Sequence, residues 1–297
     1  MKDFFEVTEI AENIYQIYES AGVNSTLIVG KCRALLIDTG YGFANIKEVV
    51  ESITDLPLRV VNTHGHTDHV GGNRFFRRVW MNPSDKDIYT DYQVHQKALI
   101  AARFETLQKA LGKPNVWPED FDRQAWYEGS TEEFCWLING QTVDLDAEEE
   151  RCNQSFEFDE PSPENHLIET IFMPGHTGGS VMFFDWKSHL LFAGDDLDYS
   201  MWLMFDNSAP LYIYRNNIKE LEKYPIKGIV PSHRRKILSP WLLKRLPEAI
   251  DHVKIEESRV FYHPRTGAPA LLYKEPLNGE SPDGMDTIYI VYHRNNM

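Results

Sequence analysis

A layered α/β fold is predicted for this chain, and three observations carry the prediction. Short apolar runs alternate with helical patterns through the first hundred residues. The strands repeatedly end in His or Asp beside glycine, as happens where loops on one edge of an α/β sheet gather the chemistry. The chain is also long enough for one large core, with 297 residues of which 42% are apolar and 25% charged. A single domain over 1–297 is expected, with an inserted helical and aromatic segment at 84–165 and a strand extension at 257–297.

In order along the chain, 14–18, 25–29 and 34–38 read as strands, with Gly22 and Gly30 marking turns, and the third ends in Asp38-Thr39-Gly40. A helix is expected over 44–52. The next strand, 58–61, delivers Asn62-Thr63-His64-Gly65-His66-Thr67-Asp68-His69-Val70-Gly71-Gly72. Alternate residues of an extended segment point the same way, so His64 and His66 can share one ion, while Asp68 and His69 begin the next turn and face elsewhere. Three imidazoles so close would repel if protonated, and a divalent cation removes that conflict. Chance would produce the whole pattern about once in a thousand sequences, against the bland reading of a polar loop. Gly71-Gly72 then allow a helix to start close to the metal.

Ser84, with Asp87 three residues on, reads as a helix cap, and Ile88, Tyr92, Leu99 and Ala102 recur at helical spacing up to Gly112. The stretch 113–165 is rich in aromatics and acids, which suits either a lid or a solvated insertion with its own small aromatic cluster. Strands resume at 166–173 and lead to Pro174-Gly175-His176-Thr177. A hairpin of 181–185 with 190–193 delivers Gly194-Asp195, and a strand at 226–230 delivers Ser232-His233. Arg234-Arg235-Lys236 follow directly, either to hold a substrate carboxylate or phosphate or as a solvated approach to a helix. That helix runs from Ser239-Pro240 to about 256, kinked at Pro247. Strands at 260–262, 270–274 and 287–293 then form an accessory sheet or a dimer contact. His95, His166, His189, His252, His263 and His293 lack metal spacing and read as structural or surface residues.

A net charge of −15 argues against a polyanionic partner such as nucleic acid. No apolar run reaches the roughly 18 residues that span a bilayer, so no membrane partner and a soluble, cytoplasmic protein are expected. Cys32, Cys135 and Cys152 are few and unpaired in spacing, which reads as reduced thiols.

His64-x-His66-x-Asp68-His69, Pro-Gly-His176-Thr, Gly-Asp195 and Ser-His233, with Asp38 in Leu-Ile-Asp-Thr-Gly, resemble the metallo-β-lactamase superfamily over about residues 10–235. The resemblance implies a four-layer αββα sandwich of two similar halves with two divalent metal ions at one edge, zinc first and iron or manganese as alternatives. By it, His64, His66 and His176 would hold one ion, Asp68, His69 and His233 the other, and Asp195 would bridge them, while Asp38 would orient ligands. Two such ions can hold a hydroxide between them, which implies hydrolysis of a small ester, thioester or lactone. A phosphodiesterase and a persulfide-dioxygenase-like iron enzyme are the alternatives, ahead of a β-lactamase or a non-catalytic binding protein. Asp68, Asp195 and Tyr199 are the expected catalytic residues. Lactonases of the superfamily carry Tyr three residues after the bridging aspartate, where this chain has Asp198. Tyr199, one residue later, is expected to offer its hydroxyl to the substrate, against the alternative that it packs with Trp202 and Phe205.

Overall fold

The computed structural model describes residues 4–110, 117, 118, 120–131, 133–147, 164–264 and 267–297. The first sheet runs β1 (Phe5–Ala11), β2 (Ile14–Glu19), β3 (Val23–Val29), β4 (Ala34–Ile37), β5 (Leu58–Val61), β6 (Arg78–Met81) and β7 (Glu133–Trp136), side by side in that order. Its first four strands are antiparallel and the remaining pairings parallel. The crossover from β4 to β5 is α1 (Ile46–Ile53), capped by the Asn45 side chain, which accepts from the Lys47 N–H. Next come a single turn, α2 (Thr67–Val70), and a 3₁₀ turn over Gly71–Phe75 in place of the expected helix. A Cβ on Gly71 would lie 2.1 Å from the Tyr41 carbonyl oxygen, so the Gly pair serves close packing of this turn on the loop after β4.

The expected helix over 84–112 is interrupted. Asn82, not Ser84, supplies the cap, to a 3₁₀ turn at Pro83–Asp85. Then α3 (Lys86–Asp91) passes through a π turn at Tyr92–Gln96 into α4 (Lys97–Ala110). After α5 (Arg123–Glu128), the chain adds β7 to the first sheet and β8 (Thr142–Asp144) to the second. The segment 84–165 is therefore woven into both sheets at their edges, and its part at 148–163 lies outside the described residues.

The second sheet is completed by β9 (Leu167–Phe172), β10 (Val181–Asp185) and β11 (Leu190–Gly194); after β12 (Ser200–Leu203), which belongs elsewhere, β13 (Gly228–Pro231) pairs parallel to β11. Between β12 and β13 lies α6 (Leu211–Glu220), and after β13 comes α7 (Leu242–Asp251), which contains Pro247 and is shorter than expected. The tail strands β14 (Arg259–Tyr262), β15 (Pro269–Pro276) and β16 (Thr287–Tyr292) form a third sheet in the order β12-β16-β15-β14.

The inner faces of the two large sheets meet in one apolar layer. There Ile28, Leu35 and Val61 from the first sheet join Ile168, Phe183 and Phe192 from the second. Each fully buried side chain of this size contributes about 1.5–3 kcal/mol. Ile46 and Val50 of α1 cover the outer face of the first sheet, and Ile218 of α6 with Leu242 and Leu246 of α7 cover that of the second. The result is the αββα sandwich expected. No helix among the described residues is long and apolar enough to cross a membrane.

Candidate metal centre

Parallel pairing puts the carboxyl ends of β4 and β5 together in one sheet, and those of β11 and β13 together in the other. Asp38 follows β4, His64 to His69 follow β5, His176 follows β9, Asp195 follows β11 and His233 follows β13. The sheets are stitched where these ends meet, by the Val181 N–H donating to the Thr63 carbonyl at 2.8 Å. Gly194 has a left-handed φ of +56°, and a Cβ there would lie 2.8 Å from Cβ of Thr63, so glycine permits the approach.

All seven candidate donors converge. Three groups, His64/His66/His176, His64/His69/Asp195 and Asp68/His69/His233, each have their ligand atoms within 4.8 Å of one another. Contrary to the expectation from spacing, Asp68 and His69 join the same cluster as His64 and His66, with His64 and His69 sharing one group through Asp195. Asp195 is divided between the groups. One of its oxygens, Oδ2, lies 3.5 Å from His176 Nε2 and 4.0 Å from His64 Nε2, and the other, Oδ1, lies 3.3 Å from both His69 Nε2 and His233 Nε2.

Hydrogen bonds at one nitrogen aim the other nitrogen inward. His69 Nδ1 donates to Asp38 Oδ2 at 2.8 Å, His176 Nδ1 to the Trp202 carbonyl at 2.6 Å and His233 Nδ1 to the Gly22 carbonyl at 2.9 Å. The Thr63 hydroxyl donates to Asp38 and so accepts from His64 Nδ1 at 3.0 Å. Lone pairs of His64 Nε2 and His176 Nε2 are thereby turned toward His66 Nδ1, at 3.1 and 2.9 Å. Both His69 Nε2 and Asp195 Oδ1 are buried without a properly directed hydrogen-bond partner. Converging lone pairs and orphaned buried donors carry a cost unless a cation sits among them. The donor set, imidazole and carboxylate without thiolate, therefore fits divalent metal.

The same geometry sets the charges. Burial, reinforced by neighbouring imidazoles, holds His64 and His66 well below the ordinary imidazole range. Burial opposes a charge on His69 too, but Asp195 and Asp38 outweigh it and hold that ring well above the range. His233, a third of whose side chain is exposed, is pushed up to about 9 by Asp195 against its partial burial.

Residues that the sequence did not single out hold this cage. The buried Asp85 carboxylate accepts from Gly65 N–H at 2.8 Å and from Thr177 Oγ1 at 2.7 Å through one oxygen, tying the His64–His66 loop to the His176 loop. Asn73 Nδ2 donates to Asn62 Oδ1 at 2.8 Å, and Asn62 Nδ2 to the His69 carbonyl at 3.2 Å. Each lies outside the His/Asp pattern, and nothing in local spacing marks it.

Tyr199 is a correction. Its side chain is fully buried in the core with α6 and α7, and its hydroxyl donates to Asp283 Oδ2 at 2.7 Å, away from the cavity. Asp198 and Ser200 line the cavity, while Tyr199, in the bend that leads from Asp195 into β12, is turned away from it. Asp198 accepts from Arg234 Nε at 2.6 Å, and Arg234 also lines the cavity. Arg235 instead pairs with Glu6, and Lys236 donates to the Asp283 carbonyl. The cavity holds about 380 Å³. His263, expected as a structural or surface residue, is part of its lining.

Residues 20–233 match the family model described as the metallo-beta-lactamase superfamily. The acyl-coenzyme A thioesterase MBLAC2 of Gallus gallus is 25% identical over 240 residues, 73% of this chain and 75% of the relative. Among solved structures, the metallo-beta-lactamase family protein TTHA1429 of Thermus thermophilus superposes with a TM-score of 0.54 at 18% identity, covering 82% of this chain and 80% of that one. A metallo beta lactamase from Erythrobacter litoralis gives 0.52 at 14% identity, covering 84% and 97%.

Proposed function

The chain belongs to the metallo-beta-lactamase superfamily and is a metal-dependent hydrolase, and from that premise we propose that it cleaves acyl thioesters of small molecules at a two-metal centre. His64, His66 and His176 would hold one ion, Asp68, His69 and His233 the other, zinc being the first choice for both. The observation that carries this reading is the division of Asp195, one oxygen turned to each histidine group. Two ions held by these residues would supply Lewis acidity, which would activate water at neutral pH and polarise a carbonyl. Asp195 spaces the two groups, and Asp38 fixes the ring of His69 so that Nε2 meets the cavity.

The thioester is favoured over the ester by what the tyrosine does not do. An alkoxide leaving group needs a proton as it departs, whereas a thiol, with a pKa near 8.5, leaves as the thiolate. With the Tyr199 hydroxyl committed to Asp283, the segment after Asp195 presents Asp198 and Ser200 instead. The relationship to a thioesterase over three quarters of both chains points the same way.

Metal-reconstituted protein should contain two ions per chain by elemental analysis and should hydrolyse acyl thioesters faster than oxygen esters, lactones or a phosphodiester. One ion in a metal-replete sample would overturn the two-metal centre, and a preference for the phosphodiester would overturn the substrate.

A further inference from the structure

The cavity has two chemically different sides. Around His233 it is polar, with Asp198, Ser200 and Arg234. Around His66 and His176 it is aromatic and aliphatic: the Phe205 ring lies 4.8 Å from that of His66 and 5.1 Å from that of His176, and Tyr92 lies 5.1 Å from His66. Leu99 and Ile100 continue this wall from α4, and Leu99 is 44% exposed. A single exposed leucine is ordinary, but one that lines the cavity beside two metal-facing rings gives an apolar ligand something to cover.

The tail of the chain closes this side. His263 follows β14, and its N–H donates to the Ala268 carbonyl at 2.8 Å across the turn to β15. Its ring stands edge-on to Trp202, 5.3 Å between centroids, and to Phe205 at 5.7 Å. Pro264 extends the same surface. Trp202 itself lies on β12, which pairs with β16 of the tail and not with either large sheet. One wall of the cavity is thus assembled by residues beyond 233, where the family match ends.

We propose that this tail hairpin is a specificity element: His263 and Pro264, which line the same cavity as Leu99 and Ile100, form with them an apolar seat that reads the length of the acyl limb. The inference rests on the thioester reading for its choice of limb and deepens it. Binding energy then grows with each methylene seated, about three- to fourfold in affinity per group, until the seat is full.

The test uses the zinc-loaded full chain and two series, straight-chain carboxylates from acetate to decanoate bound in a calorimeter and the matching acyl thioesters assayed for kcat/KM. In the unaltered protein both should rise with chain length. His263→Ala should reduce the octanoate-to-acetate ratio about tenfold with metal content maintained. Leu99→Asp, at an exposed position where folding is safe, should do the same from α4. Equal losses along the series, or no loss in either variant, would overturn the seat. If no thioester is cleaved but carboxylate binding keeps its length dependence and its dependence on His263, the seat stands and the thioester reading falls. If thioesters are cleaved with no dependence on length, the reading stands and the seat falls.

Discussion

At the scale of single residues, the donors were legible because metal chemistry demands particular side chains, and seven of them stood at strand ends in the sequence. What supports them was not. Asp85 acts through geometry, receiving a backbone N–H next to His64 and His66 and the hydroxyl next to His176. Asp85→Ala leaves Gly65 N–H and Thr177 Oγ1 buried without that acceptor, and loosens both loops of one histidine group together. Outer residues of this kind typically change metal affinity about 10–100-fold. Competition with a chromogenic chelator should show that loss for one of the bound ions, and unchanged affinity would remove Asp85 from the support of the site. The misreading of Tyr199 has an equally local cause. The bend between Asp195 and β12 turns neighbouring side chains to different sides, and the position that matched the lactonase tyrosine was Asp198, which does line the cavity.

Among the elements, those built from long apolar or strongly periodic stretches were readable, edge strands β13 and β14 included, whereas β1, β6, β7, β8 and β12 were not. Most of β1 is exposed or half-exposed at its outer edge, so it carries little of the alternation by which strands are recognised. α6 escaped notice because its buried positions Leu211, Tyr214 and Ile218 are interleaved with polar residues. The aromatic stretch after α4 suited either a lid or an insertion with its own small aromatic cluster. Trp117 and Phe121 do stack on each other, 4.6 Å between centroids, but both also lie edge-on to Phe43, with centroids 4.6 and 5.5 Å away, and the fully buried Trp126 donates from Nε1 to the Tyr41 carbonyl at 2.8 Å. This element braces the loop after β4, whose Tyr41 hydroxyl reaches Asp68 Oδ2 at 3.4 Å. Trp126→Phe keeps most of the ring and deletes the donor, which removes this hydrogen bond to the Tyr41 carbonyl at a cost of about 0.5–1.5 kcal/mol. Denaturant unfolding of the metal-loaded protein should show a loss in that range, and a value near zero would mean the brace is dispensable. The π turn at Tyr92–Gln96 had no periodic signal of its own, yet both of those residues line the cavity, in keeping with the frequent placement of such turns at functional sites.

For the whole molecule, the charges of the metal-free cage predict how pH couples to metal binding. His233, raised to about 9, and His69, held high by Asp195 and Asp38, keep their protons at pH 7, and a metal ion needs both rings neutral. Binding should therefore release protons and tighten as pH rises toward about 9. The sign for stability follows from the same group: the contribution of His233 to the metal-free fold is fully present below the ordinary value near 6.5 and is lost as pH rises through about 9. The gap in Tm between metal-loaded and chelated protein should widen between pH 6.5 and 9, and a gap that narrows would contradict the assignment of these rings as ligands. At this scale the four-layer arrangement was accessible from the order of the donor motifs, whereas the third sheet was only partly foreseen, since nothing in Ser200–Leu203 announces that it will pair with residues near the end of the chain. The spacing of the donors along the chain also reaches beyond catalysis. They come from separate stretches, and the longest interval falls between His69 and His176. That interval carries β6, β7 and β9 together with Asp85, so its ends are fixed by the sheets and by the carboxylate that ties the histidine loops. Substitutions at Tyr92, Gln96, Leu99 and Ile100, which line the cavity from the same interval, can therefore change what the cavity accepts while the strands that hold the cage stay in place.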